Sequence, residues 1–248
     1  MNVLELFSGT HSVGKCCEEL GWNAISVDNE LPATHKCDIM TFDYTIYPKD
    51  YFSVVWCSPP CTDYSHLQHG WLGRKKKDGN IYTKEIMEQN MINADKLVLK
   101  SLEIIKYFNP EVWFLENPQT GRLKNRDIMK DIPFYDVDYC KYSDWGYRKR
   151  TRIWTNKKDW IPKICKKDCE NMITIDNPDK TKKRYLHKTN CGNTEKLQAI
   201  RKHKCSVSDV HSNETMKHSK DLSNVGNGTN RLDRYRIPPD LIYSLFLD

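Results

Sequence analysis

Short apolar runs alternate with helical patterns along the first 156 residues of the chain. Runs typical of strands cover 2–7, 23–28, 50–60 and 111–118, and shorter ones cover 37–39, 135–143 and 150–156. Apolar residues recur at helical spacing from Lys84 to Phe108, and the pattern ends at Asn109-Pro110. Strands that alternate with helices predict an α/β fold with a doubly wound, mostly parallel sheet.

The pattern changes near Lys157, where the chain becomes rich in Lys, Asn, Asp, Ser and Thr. Residues 158–230 therefore predict a small irregular region, and residues 1–157 form the predicted main domain. Order returns in residues 231–248, where Pro239 can start a helix. We expect this segment to pack back on the main domain through an apolar stripe of Leu241, Ile242, Leu245 and Phe246.

Composition narrows the class of protein. The net charge of +6 is mild, but basic residues cluster at 73–79, 148–152, 180–184 and 201–204, which favours a face that contacts phosphates. No apolar run reaches the length of a membrane span, and the N-terminus lacks a basic leader, so we expect a protein that is not secreted. The ten irregularly spaced cysteines favour reduced thiols in a cytoplasmic or nuclear-type compartment. We also expect the protein to be a monomer.

Two predicted strands end in residues that can bind an adenosine-type cofactor. Ser8 and Gly9 permit a tight turn, and a helix beginning near Ser12 can direct free N–H groups at a ligand. Asp28 ends the next strand, where an acid accepts hydrogen bonds from a ribose diol. Asp38 can accept a hydrogen bond from an adenine amino group.

Two further strand ends carry reactive side chains. In "SPPCTDYS", two prolines stiffen the chain before Cys61 and direct its sulfur toward the cleft. In "ENP", Glu116 ends a buried strand, where burial favours the protonated carboxyl group that can donate a proton. Arginines of the "RKRTR" run at 148–152 lie on the same predicted rim.

The stretches "LFSGTHSVG", "CDI", "SPPCTDYS", "FLENP" and "GYRKRTRIW" occur in the order of the cytosine-5 DNA methyltransferase motifs. The chain therefore resembles that family over residues 3–156, and more weakly at its C-terminus. It departs from the family pattern at His11, Thr62, Pro118 and Arg148. The resemblance implies a Rossmann-like methyltransferase fold, with the region 158–230 recognising the target.

The resemblance also implies roles for individual residues. Cys61 would add to C6 of cytosine, Glu116 would protonate N3, and Arg150 and Arg152 would contact the base edge and phosphates. The substrate would be double-stranded DNA whose target base leaves the stack. S-adenosylmethionine would bind at a set of strand-end residues: Phe7, Ser8, Gly9, Thr10, His11, Ser12, Asp28, Asn29, Asp38, Ile39 and Pro60.

Three alternatives stay open. One branch of the family acts on tRNA with the same motifs, so RNA is a rival substrate. A catalytically silent regulator that binds nucleic acid could share the fold, although Cys61 and Glu116 are both present. A nicotinamide-dependent dehydrogenase would explain the glycine turn and the acid, but not a cysteine after two prolines.

Four residues in the polar region have side chains suited to zinc. Cys165 and Cys169 are separated by three residues, as are His187 and Cys191. Tetrahedral zinc accepts a Cys₃His set, and a metal would stabilise a segment with few apolar residues. The spacing therefore predicts a structural zinc site.

Overall fold

The computed structural model describes residues 1–176, 183–188 and 235–248. The strands are β1 Asn2–Leu6, β2 Asn23–Asp28, β3 His35–Lys36, β4 Val54–Cys57, β5 Val112–Pro118, β6 Phe134–Asp138, β7 Arg150–Thr155, β8 Met172–Asp176 and β9 Lys183–His187. The α-helices are α1 Ser12–Glu19, α2 Lys84–Phe108 and α3 Pro239–Leu247.

Seven strands form one sheet in the order β3-β2-β1-β4-β5-β7-β6. Neighbouring strands from β3 to β5 pair in parallel, and β7 pairs antiparallel with β5. The predicted doubly wound, mostly parallel sheet is confirmed. Parallel strands place their carboxyl ends at one edge, so the loops after β1, β2, β4 and β5 meet there.

Helix α2 covers one face of the sheet and has the predicted bounds. The side chain of Thr83 accepts a hydrogen bond from Ile86 N at its start, and Asn109 ends it in the left-handed conformation. Its buried face packs against strand residues that point the same way, in a core that includes Leu6, Cys57, Leu115, Met91, Val98 and Phe108.

Helices α1 and α3 lie on the other face. Phe246 of α3 stacks on Trp22 at 5.4 Å between ring centroids and also contacts Trp56 and Phe114. The predicted stripe is buried at Leu241, Ile242 and Leu245.

The start of α1 differs from the prediction. Glu5 of β1 is buried, and its two carboxylate oxygens accept hydrogen bonds from Val13 N at 3.0 Å and Gly14 N at 3.1 Å. The prediction that these first-turn amides point at a ligand is therefore wrong. The strand beneath the helix supplies their hydrogen-bond acceptor instead. His11 Nδ1 lies 2.7 Å from the same carboxylate.

Two strand predictions are also wrong in detail. The short third strand is His35–Lys36, and residues 37–39 lie beyond it, where a turn begins in which Thr41 N donates to Asp38 O. The run at 135–143 is a strand only to Asp138, after which Tyr139–Lys141 form a 3-10 turn. At both positions, local hydrogen bonds of a turn or a polar side chain take up backbone N–H and C=O groups, so pairing with the neighbouring strand stops.

The chain divides into two compact units. The first comprises Met1–Val137, Arg150–Pro162 and Ile242–Asp248, and the second comprises Asp138–Lys149 and Lys163–Leu241. Within the described part of the second unit, β8 and β9 form an antiparallel hairpin. The domain boundaries at 157 and 230 stay a prediction. Among the described residues, no helix is both long and apolar enough to cross a membrane.

Replacing Leu245 with Ala should lower the free energy of unfolding by about 2–5 kcal/mol, because its side chain is fully buried and truncation leaves a cavity. Leu247→Ala is the matched control, since Leu247 lies on the same helix with 60% of its surface exposed. Urea denaturation of both variants measures the difference. Equal losses would show that α3 does not pack through the predicted stripe.

The His11–Glu5 pair should make stability depend on pH. The hydrogen bond to Glu5 raises the pKa of His11 above its ordinary value of 6.5. The stabilisation is therefore complete below that value and is lost as the pH rises through the raised folded-state pKa. His11→Asn keeps a residue that tolerates the left-handed conformation but does not titrate.

The variant should lose more stability at about pH 6 than at about pH 9, by on the order of 1 kcal/mol for a partly exposed pair. Denaturation at both pH values measures this difference. A loss that is the same at both would mean that the ion pair contributes nothing to stability.

Candidate active site

The loop that carries Cys61 is joined to the end of β5 by one buried hydrogen bond. Asn117 Nδ2 donates to Pro59 O at 2.9 Å, and Asn117 is fully buried. Pro59 is also buried, whereas Cys61 is half-buried. The two prolines lack N–H groups and restrict the backbone, and the bond from Asn117 helps to fix the turn. Cys61 is therefore presented at the carboxyl edge of the sheet.

The far side of the same loop is attached at Tyr64. Its carbonyl accepts a hydrogen bond from Arg122 N at 2.9 Å, and its ring is fully buried. The Tyr64 hydroxyl donates to Asp95 Oδ1 of α2 at 2.8 Å. Arg126 donates through Nε and Nη2 to Asp95 Oδ2 at 2.9 and 2.6 Å. Cys61 thus lies between two buried attachments, one to β5 and one to α2.

Glu116 lies at the carboxyl end of β5, beside the Cys61 loop. Cys57 and Leu115 are paired between β4 and β5, so Glu116 is one residue beyond that pair and Cys61 four residues beyond it. Glu116 is only 6% exposed. The bond from the adjacent Asn117 to Pro59 brings the two strand ends together. This arrangement places a thiol and a carboxyl group at one end of neighbouring strands.

The arginines of β7 project to the opposite face from Glu116. Glu116 pairs with Ile153, while Asn117 pairs with Arg152, and directly paired residues share a face. Arg152 donates to both carboxylate oxygens of Asp136 at 2.7 and 2.9 Å, and it stacks on Phe134 at 3.5 Å. Its charge is therefore largely neutralised within the sheet.

The two other arginines of the run differ from each other. Arg150 is exposed at the start of β7, and its carbonyl accepts from Gln119 N at 3.1 Å. Arg148 instead forms a bidentate ion pair with the fully buried Asp138, at 2.8 and 2.7 Å. Of the three arginines in the run 148–152, Arg150 is therefore the one exposed enough to contact a phosphate.

The turn after β1 combines tight backbone geometry with polar atoms. Gly9 has a positive φ of 52°, and its N–H donates to Asp28 Oδ2 at 2.9 Å. Asp28 Oδ1 accepts from Glu30 N and Leu31 N, both at 2.8 Å. Among the described residues, the buried hydroxyl of Ser8 has no hydrogen-bond partner. Carboxylate oxygens accept more than one hydrogen bond, so Asp28 can still accept from a diol.

The other residues predicted to bind the cofactor surround this turn or lie near it in sequence. Thr10 Oγ1 and Ser12 Oγ are 3.1 Å apart, and Asp38 Oδ1 accepts from Met40 N at 2.8 Å. Asn29 and Pro60 are exposed, whereas Ile39 is buried. Phe7 has a positive φ of 58° at the end of β1.

His11 occupies space that a glycine would leave open. It has a left-handed backbone with φ 57°, and its ring covers Gly14 so closely that a Cβ there would lie 2.0 Å from the ring. The ring position follows from its ion pair with Glu5. His11 and Gly14 therefore form one packed unit at the start of α1.

Several polar atoms near the Cys61 loop were not predicted to have a role. Within the described residues, Asn117 Oδ1, Thr151 Oγ1 and two nitrogens of the Arg122 side chain are buried without a hydrogen-bond partner. Thr151 pairs with Pro118, and Asn117 Oδ1 is near Gly121. Buried polar groups without partners mark a place where a ligand can supply them. No sequence motif singled out Arg122.

The segment after Cys61 carries basic and aromatic side chains at the surface. It includes a 3-10 turn, His66–Trp71, in which Gln68 is buried and hydrogen-bonded to Thr62 O and Tyr82 Oη. Trp71 is exposed, as are the four consecutive basic residues from Arg74 to Lys77. The loop is therefore anchored internally while its charges face solvent.

A separate cluster in the second unit consists of Cys140, Cys165, Cys169 and His187. Their ligand atoms lie within 4.8 Å of one another. Three of the four predicted metal ligands belong to this cluster, and the fourth, Cys191, lies outside the described residues. No spacing pattern singles out Cys140, which is 25 residues before Cys165 and follows β6.

Known proteins resemble this chain over nearly its whole length. The chain is 36% identical to a Frog virus 3 (isolate Goorha) protein named "Probable DNA (cytosine-5)-methyltransferase", over 99% of this chain and 98% of that protein. A solved methyltransferase from Entamoeba histolytica, EhMeth, has a TM-score of 0.50 at 15% identity and covers 99% of this chain and 96% of its own, which supports the fold alone. No family model matches the chain. The identity over nearly the full length of the viral relative shows that the chain belongs to the DNA (cytosine-5)-methyltransferase family.

Proposed function

We propose that this enzyme transfers a methyl group from S-adenosylmethionine to C5 of cytosine in double-stranded DNA through a covalent adduct with Cys61. The single observation that best supports it is the buried hydrogen bond from Asn117 to Pro59, which joins the cysteine loop to the strand that carries Glu116. A thiol and a carboxyl group at one end of neighbouring strands suit addition to a pyrimidine ring. The viral relative's name supports the choice of cytosine and DNA.

The first step forms a bond between the Cys61 sulfur and C6 of the ring. Ring electrons move toward N3, which takes a proton from Glu116, and C5 becomes a nucleophilic enamine carbon. Glu116 is placed for this role at the carboxyl end of β5, next to the strand whose following loop carries Cys61. C5 would then accept the methyl group that S-adenosylmethionine supplies when bound, which would turn that donor into a neutral thioether.

The last step restores the aromatic ring. A solvent base removes the proton from C5, the bond between sulfur and C6 breaks, and the Cys61 thiolate is released. The proton on N3 returns to the Glu116 carboxylate. Both residues therefore end as they began, as a catalyst requires.

The residues around the β1 turn fit the methyl donor. S-adenosylmethionine supplies, when bound, an electrophilic methyl group and carries a ribose diol. Asp28 would accept hydrogen bonds from that diol, and the unpartnered Ser8 hydroxyl would find a partner on the ligand. The positive φ at Gly9 permits close approach of the backbone. We assign the other residues predicted to bind S-adenosylmethionine to this site as well.

The polynucleotide would be bound by exposed basic residues. The run from Arg74 to Lys77 lies in the loop after Cys61, and Arg150 is exposed at the start of β7. Arg152 is the weaker candidate for a phosphate contact, because Asp136 already neutralises it. A cytosine within a duplex must leave the stack to reach Cys61.

Removing the Cys61 sulfur should abolish methyl transfer. We expect wild type to transfer label from S-adenosylmethionine to duplex DNA, and Cys61→Ala to show a rate lower by at least about 10³-fold. Cys37→Ala is the matched control, since Cys37 is also half-buried but lies after β3. Scintillation counting of DNA and tRNA substrates in parallel measures the transfer.

Equal rates for wild type and Cys61→Ala would remove Cys61 from the mechanism. Transfer to tRNA but not to DNA would contradict the proposed substrate and favour the RNA alternative. Binding of DNA without any transfer by wild type would favour the silent regulator.

Loss of the Asn117 side chain should reduce kcat more than it reduces stability. Asn117→Ala leaves Pro59 O unsatisfied and should cost about 1–3 kcal/mol of unfolding free energy, while kcat falls by about tenfold or more because Cys61 is misplaced. Asn156→Ala is the control. Asn156 donates to Glu111 O at 3.0 Å and accepts from Trp113 N at 2.9 Å at the opposite end of β5.

Urea denaturation and initial-rate kinetics on both variants separate the two effects. Asn156→Ala should lose stability but keep the wild-type kcat. If both variants lose kcat in proportion to stability, Asn117 has no specific role in positioning Cys61.

A further inference from the structure

The cluster of Cys140, Cys165, Cys169 and His187 has the dimensions of a tetrahedral metal site. The distance from His187 Nε2 is 3.6 Å to Cys165 Sγ and 3.4 Å to Cys169 Sγ. With zinc–sulfur bonds of about 2.3 Å and zinc–nitrogen bonds of about 2.0–2.1 Å, the edge between sulfur and nitrogen in a tetrahedron is about 3.5 Å. The two edges from His187 to Cys165 and Cys169 therefore already have the length that bound zinc would impose, and all four ligand atoms lie within 4.8 Å of one another.

The backbone around Cys165 is arranged to stabilise a thiolate. Lys167 N donates to Cys165 Sγ at 3.3 Å, which is possible because Lys167 has a positive φ of 67°. Asp138 Oδ2 accepts from Cys165 N at 2.9 Å, and Arg148 Nη2 donates to Cys165 O at 3.1 Å. The Asp138–Arg148 ion pair thus fixes the main chain of this ligand from both sides, as outer-shell groups do around metals.

The ligand Cys140 is fastened to the same place by Asn171. Asn171 is buried, and its Nδ2 donates to Cys140 O at 3.0 Å and to Ser143 O at 2.7 Å. Its Oδ1 accepts from Gly146 N at 3.0 Å. Asn171 follows Cys169 by two residues, so one side chain ties the turn that carries Cys140 to the segment that carries Cys169.

Apolar packing alone explains this cluster poorly. The buried cluster there consists of the three cysteines, with Met172 packed against them. Three thiols bury little apolar surface, whereas the surrounding Asp138 and Asn171 are buried polar groups that need fixed partners. Small regions with few apolar residues are commonly stabilised by a metal.

We propose that Cys140, Cys165, Cys169 and His187 bind one structural Zn²⁺ ion. Soft thiolates with one imidazole in tetrahedral arrangement favour zinc over magnesium or calcium, and four protein ligands leave no open position for catalysis. The ion would hold the turn after β6, the 165–169 segment and β9 together. Arg148, in the run that resembles the family's arginine motif, would thereby serve the metal site.

The proposal is independent of methyl transfer and is tested by metal content. Wild type purified without chelator should contain about one zinc per chain by elemental analysis. Replacement of zinc by Co²⁺ should give the visible absorption of a tetrahedral cobalt–thiolate centre. Cys140→Ser should lose both signals, whereas Cys191→Ser and Cys37→Ser should keep them, because neither residue is among the four ligands.

Chelation should lower the thermal midpoint of wild type, and added zinc should restore it. If Cys140→Ser fails to fold, the cobalt spectrum and the chelator response of wild type still decide whether the protein binds a structural metal ion. Wild type that contains no zinc and gives no cobalt–thiolate absorption when reduced would overturn the proposal. Loss of zinc in Cys191→Ser with retention in Cys140→Ser would overturn the ligand set. The inactive Cys61→Ala should bind zinc normally, so failure of one proposal does not affect the other.

Discussion

The catalytic edge of this protein depends on the buried hydrogen bond between Asn117 Nδ2 and Pro59 O. It links the loop that follows β4 to the end of the neighbouring parallel strand β5, and a sheet alone does not fix such a loop. A parallel sheet brings strand ends to one edge, but backbone pairing stops at Cys57 and Leu115. Beyond that point, side chains must position the reactive groups. Asn117 is next to Glu116, so the residue that fixes the cysteine loop is adjacent to the proposed acid.

A second attachment makes this loop rigid on its other side. The hydroxyl of Tyr64 reaches Asp95 on α2, and Arg126 binds the same carboxylate. The Tyr64 ring packs in the core, and its hydroxyl adds a polar bond to that packing. Burial strengthens such a network only when every member has a partner, and this one does. The reactive loop is therefore supported by the strand beside it and by the longest helix.

The sequence predicted the parts of the fold that follow from periodicity. Helix α2 has the predicted bounds because Thr83 caps it and Asn109-Pro110 ends it. The carboxyl-edge placement of Cys61 and Glu116 followed from two apolar runs ending in polar residues. Contacts between residues far apart in sequence could not be predicted. The capture of the α1 amides by Glu5, the pairing of Arg152 with Asp136, and the addition of Cys140 to the cysteine–histidine cluster all depend on strand order and register.

In the proposed mechanism, the Cys61 sulfur forms a covalent bond to C6 of an extruded cytosine. Duplex DNA carrying 5-fluorocytosine tests it most directly, because fluorine at C5 cannot leave as a proton does and the final elimination is blocked. With S-adenosylmethionine present, we expect a stable protein–DNA adduct whose mass includes the methyl group and whose modified peptide contains Cys61. Recovery of unmodified Cys61 peptide after full incubation, or an adduct at another residue, would show that Cys61 is not the nucleophile.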